Sequence, residues 1–156
     1  GGADPFKGTG IIVVGSSRLV DPTVADGKLT EADYSQYGPG LCCLAPSDRD
    51  EDPSVKPPTD GEPRFNYIPA PDILGHGGYA ETPSALASDQ GGEYGFGGTS
   101  AASAQAAGII ARMVEKRTAS GLDTDGPSVR AALTKALKGK YSVKRGYGDL
   151  TVKVVG

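Results

Sequence analysis

An α/β domain with a mostly parallel sheet flanked by helices is predicted by three stretches of the 156-residue chain. Ile11-Ile12-Val13-Val14-Gly15 is a β-branched run without polar interruption, the pattern of a strand buried on both faces. Leu41-Cys42-Cys43-Leu44-Ala45-Pro46 is a second such run, closed by proline. A glycine-led turn ending in Gly97-Gly98-Thr99-Ser100 then passes into a long alanine-rich segment with no proline, the pattern of a core helix. With 37% apolar and 22% charged residues, the chain can bury an ordinary core as one domain spanning 1–156. The net charge of -3 offers no basic field for nucleic acid, and no apolar run approaches membrane-spanning length. Neither nucleic acid nor membrane is expected as a partner.

The pieces follow in order. Residues 1–10 form a Gly, Asp and Pro loop leading into the first strand, and Tyr34-Ser35-Gln36-Tyr37-Gly38-Pro39-Gly40 is a turn leading into the second. Cys42 and Cys43 are adjacent, without the spacing of a disulfide framework or a metal site, and flanking Leu41 and Leu44 predict that both are buried strand residues. A strained bond between the two, or a bond from one of them to another chain, is the alternative in an oxidising compartment. Residues 47–97 read as an inserted loop, because 46–71 hold seven of the twelve prolines and Asp48, Asp50, Glu51 and Asp52 form an acidic cluster. Oxygen ligands of this kind suit calcium, but without a calcium-loop spacing a solvated acidic loop is the favoured reading. Phe65-Asn66-Tyr67-Ile68 and Ile73-Leu74 are candidate short strands within it.

After Ser100, the spacing of Ile109, Ile110, Met113 and Val114 gives the helix an apolar stripe, and Lys116 and Arg117 suit the negative end of its dipole. Gly108 interrupts this helix, which predicts close packing of another backbone there. Asp125-Gly126-Pro127 starts a second helix with Val129, Ala132, Leu133, Ala136 and Leu137 on one face, and Gly139 is expected to stop it.

Ser100 is the candidate for chemistry. A hydroxyl at a helix start lies beside unpaired backbone N–H groups, where its own amide can stabilise negative charge developing on a substrate carbonyl. Read without context, Thr99 or Ser100 is equally a helix cap. Gly98-Thr99-Ser100-Ala101-Ala102 followed by Ala107-Gly108 resembles the serine motif Gly-Thr-Ser-x-Ala-x-Pro-His-x-Ala-Gly of the subtilisin-like serine proteases. The family's Pro-His pair falls on Ala104-Gln105, behind the serine. The first strand, the Tyr-Gly turn, the strand ending Ala-Pro and the closing Gly146-Tyr147-Gly148-Asp149-Leu150-Thr151-Val152 occur in the family's order, with Thr151 in place of its Asn.

The resemblance implies the C-terminal portion of a subtilisin-like three-layer fold, hydrolysis of peptide bonds in proteins or peptides, Ser100 as nucleophile, Gly98 and Thr99 as support for the turn and oxyanion, and a secreted location. The base and its orienting carboxylate are not legible. The one histidine, His76 in a glycine loop, is not in a His-Gly-Thr-His motif, and no Asp-x-Gly precedes it, whereas the family carries its Asp and His in such motifs early in the chain. The side-chain oxyanion Asn is likewise absent, and Gly1 stands where processing or truncation would leave it. An N-terminal polypeptide of the same protease is therefore expected to supply Asp, His and Asn and to complete the sheet. The alternatives are a non-catalytic homologue that binds a partner through the acidic loop, and a sedolisin-type peptidase, whose serine motif also reads Gly-Thr-Ser-Ala.

Overall fold

The structure, a computed structural model, describes residues 3–19, 29–49 and 97–151. Their order is β1 (Val13–Leu19), β2 (Leu29–Glu31), β3 (Leu41–Arg49), α1 (Gly98–Ala119) and α2 (Gly126–Leu137). The class is α/β, but the sheet is small and mixed rather than mostly parallel. Its order is β2-β1-β3, with β1 parallel to β3 and antiparallel to β2.

β1 starts two residues into the β-branched run and continues through Gly15, Ser16 and Ser17, all buried. Burial of this run on both faces is not observed. Ile11 is 51% and Val13 38% exposed, whereas Ile12 and Val14 pack on the core, so one face of the segment is open among the described residues. Nor does Pro46 close β3. It pairs with Ser17 immediately before a register shift, where the ladder can do without the missing proline N–H. Ser47, Asp48 and Arg49 therefore belong to β3, contrary to a loop starting at 47, and the rest of that stretch up to residue 96 lies outside the described residues.

The far edge of β3 is taken by the C-terminal segment. Tyr147 N donates to Cys42 O (2.7 Å), Leu44 N to Gly148 O (3.0 Å) and Leu150 N to Leu44 O (2.7 Å). This makes β3 the centre of the molecule. Cys42, Cys43 and Ala45 meet Ala102, Ala106, Ile109 and Met113 of α1, Leu133 of α2, and Leu150 in one buried cluster. Both cysteines are free thiols, as expected of buried strand residues. Gly146 must be glycine. Its φ is +58°, and a Cβ would run into the Cys42 carbonyl.

The α1 stripe is seated as its spacing predicts, with Ile109 and Met113 buried and Lys116 and Arg117 in the last turn. Gly108 is not. It lies on the exposed side, and a Cβ there would meet nothing within 4 Å, so no other backbone among the described residues packs against it. Gly108→Ala is expected to raise stability by about 1 kcal/mol through backbone entropy alone, read as a higher denaturation midpoint. A lower midpoint would mean that the position is covered after all.

α2 begins as read. The Asp125 carboxylate accepts from Ser128 N (3.0 Å), and Pro127 sits in the first turn where no N–H is needed. The helix ends differently from expectation, with Lys138 rather than Gly139 taking the left-handed conformation (φ 55°). Gly139 is required instead by the close approach of the Tyr147 carbonyl. The hydrogen bonds from Ser128 hold the Asp125 carboxyl below its ordinary value. Because the folded value is depressed, the cap's contribution is present above the unfolded pKa and lost as pH falls through the folded one. Thermal unfolding of Asp125→Ala should thus fall below wild type at neutral pH, and the two should converge in strong acid.

The N-terminal loop is tied to α2 from beneath. Arg130 Nε donates to Ile11 O (2.6 Å), and Nη2 donates to both Asp4 oxygens (3.1 and 2.9 Å). Tyr147 OH donates to the same carboxylate (3.2 Å). The Arg130 and Asp4 side chains are 3% and 2% exposed, so this is an ion pair buried among its hydrogen-bond partners.

Candidate functional site

Ser100 lies in the first turn of α1, two residues after its start, and is exposed. The helix is entered from Gly97 in extended backbone (φ -137°, ψ -167°), and Gly98 turns the chain with φ +75°, a conformation that an L side chain adopts only under strain. The N-cap residue Gly97 has no side chain to cap this end, and no carboxylate stands in the first turn. Neither Thr99 nor Ser100 is therefore the cap. Both are inside the helix, Thr99 half-buried.

The consequences are geometric and electrostatic. As one of the first residues of α1, Ser100 has a backbone N–H without an intrahelical acceptor, at the positive end of a 22-residue helix. Ala101 and Ala102, 1% and 0% exposed, fix the turn from behind by packing into the sheet. An exposed serine stands beside first-turn amides that have no intrahelical acceptor, on an anchored scaffold, which is the arrangement needed to stabilise an oxyanion next to a nucleophile. The anchoring alanines belong to the site in this sense, and their small size in the motif is the signal for them.

No described residue provides a base for Ser100. His76 lies outside the described residues, as do Asp50, Glu51, Asp52 and the candidate strands at 65–68 and 73–74. Among the described residues no group of three or more potential metal ligands comes together. A cavity of about 180 Å³ opens elsewhere, lined by Glu31, Ala32, Asp33, Ser35, Tyr37 and Lys144. It shares no residue with the Ser100 turn, and it is smaller than the roughly 300 Å³ at which small-molecule sites begin. No described helix is long and apolar enough to cross a membrane.

The face of α1 continuing from Ser100 carries Ser103, Ala104, Ala107, Gly108 and Ala111, all exposed. Such a face presents no long side chain. Comparison of the chain with models of protein families, with curated proteins and with solved structures returned no match.

Proposed function

We propose that this chain is the C-terminal part of a secreted subtilisin-like serine endopeptidase, in which Ser100 attacks the carbonyl of a peptide bond. The observation that carries the reading is the exposed Ser100 in the first turn of α1, beside N–H groups that have no intrahelical acceptor. In the reaction, Ser100 Oγ bonds to the carbonyl carbon while the Ser100 amide donates to the oxygen that becomes negative. Gly98 and Thr99 hold the turn.

An N-terminal polypeptide of the same protease would bring the histidine that takes the Ser100 proton, the aspartate that orients it and the second oxyanion donor. It would also complete the three-layer fold. The exposed Ile11 and Val13 and the short-side-chain face of α1 are surfaces that such a polypeptide would cover. Calcium at the acidic cluster is not required by this chemistry.

The test is complementation. This chain alone is expected to leave a peptide substrate intact, and the same chain joined by its N-terminal polypeptide is expected to hydrolyse it in a manner abolished by an organophosphate. Hydrolysis by the chain alone, lost in His76→Ala, would place the base within these 156 residues and overturn the two-part account. No hydrolysis in either case would favour the non-catalytic homologue.

A further inference from the structure

The middle of β3 holds two neighbouring thiols that the hydrolytic reading leaves unused. In a regular strand, successive side chains point to opposite faces, and adjacent cysteines are held apart. Here the pairing slips. Val13 pairs with Leu41 and Val14 with Cys43, so Cys42 is the extra residue of a bulge. Both residues enter the same buried cluster, and both are free thiols with no exposed surface.

We propose that Cys42 and Cys43 form a hydroperoxide-sensitive dithiol, whose oxidation to a bond between neighbours opens the pairing of β3 with β1 and with the 146–150 segment. The roles of the two sulfurs are set by their surroundings. The adjacent Cys43 thiol, and after it the positive charge of Arg130, pull the Cys42 thiol below its ordinary value against the opposing effect of burial. The neighbouring Cys42, then burial, pushes the Cys43 thiol up. Cys42 thiolate attacks an oxygen of the hydroperoxide, the O–O bond breaks, and Cys42 sulfenic acid forms with release of water or an alcohol. The Cys43 sulfur then attacks the Cys42 sulfur, the S–O bond breaks, and the departing hydroxide takes the Cys43 proton. One hydroperoxide is reduced for each pair of thiols oxidised. Complete burial restricts the oxidant to a small molecule.

The structural consequence follows from reach. Adjacent Cα atoms are about 3.8 Å apart across a trans peptide, whereas unstrained disulfides span about 4.4–6.8 Å. Closing the ring must twist the Cys42–Cys43 peptide, the unit whose Cys42 carbonyl accepts from Tyr147 N (2.7 Å) and whose Cys43 pairs with Val14. Strain of this kind makes the bond easy to reduce, so it would act as a reversible switch and not as a staple. The inference is independent of whether Ser100 is a nucleophile.

The experiment treats the full native chain with hydrogen peroxide, alkylates it with N-ethylmaleimide in denaturant, and determines the intact mass. The expected product has lost two hydrogens, carries no maleimide, melts at a lower temperature than the untreated chain, and regains both thiols with dithiothreitol. In Cys43→Ala, which keeps the position apolar, the reaction should be slower, because Cys42 loses the neighbour that lowers it, and should halt at a sulfenic acid on Cys42 that dimedone traps. Retention of two alkylatable thiols under peroxide that fully oxidises free cysteine in the same tube would overturn the proposal. So would oxidation only through dimers, or an oxidised chain at least as heat-stable as the reduced one.

Discussion

Arg130→Ala is expected to cost about 3–5 kcal/mol of folding stability, a large share of what a domain of this size possesses. The reason lies in what is left behind. Asp4 would remain 2% exposed with its charge answered by Tyr147 OH and Phe6 N alone, and Ile11 O would lose its donor. An unpaired buried carboxylate is far more costly than the pair is stabilising, so the contrast between variants carries the test. Arg130→Lys should recover part of the loss, because it returns the charge without the fork that reaches Asp4 and Ile11 together. Asp4→Leu combined with Arg130→Met should be much milder than Arg130→Ala, since it removes both charges at similar volume. Denaturant midpoints with unchanged slope would measure all three. A loss below about 1 kcal/mol for Arg130→Ala, the range of exposed pairs, would contradict the buried clamp.

The second large effect is catalytic. On the proposed reading, with the chain joined by the proposed N-terminal polypeptide, Ser100→Ala should lower kcat for peptide hydrolysis by about 10⁴–10⁶-fold while leaving KM little changed. The hydroxyl supplies the bond-forming atom, whereas substrate binding uses surfaces that the substitution does not touch. Folding should be unaffected, because Ser100 is exposed and makes no hydrogen bond through its side chain to any described residue. Ser103→Ala, one turn further along the same exposed face, is the matched control and should keep full activity.

Much of this arrangement is legible in the sequence for definable reasons. The two β-branched or apolar runs give β1 and β3, the Asp-Gly-Pro start gives α2, and the stripe of Ile109 and Met113 gives α1 its buried side. What escapes the sequence is set by long-range contacts. Ser16 and Ser17 are fully buried although polar, because pairing with β3 and β2 holds their backbone inside. Pro46 is a poor strand residue that a register shift accommodates. Lys138 takes the left-handed position because Gly139 is needed one residue later against Tyr147. The Arg130–Asp4 pair joins residues 126 positions apart, which no local pattern encodes. At the candidate site, the glycine turn and the serine are readable, while the place of Thr99 and Ser100 inside the first turn, and not at its cap, becomes visible only once Gly97 is seen to be the N-cap.

The central proposal is that Ser100 is a nucleophile whose base comes from the proposed N-terminal polypeptide. Labelling with a radioactive organophosphate, followed by peptide mapping, tests it most directly. The account expects one modified residue, Ser100, in the presence of the N-terminal polypeptide, and no modification of the chain alone. Labelling at any other residue, or no labelling of Ser100 in the completed protease, would contradict it.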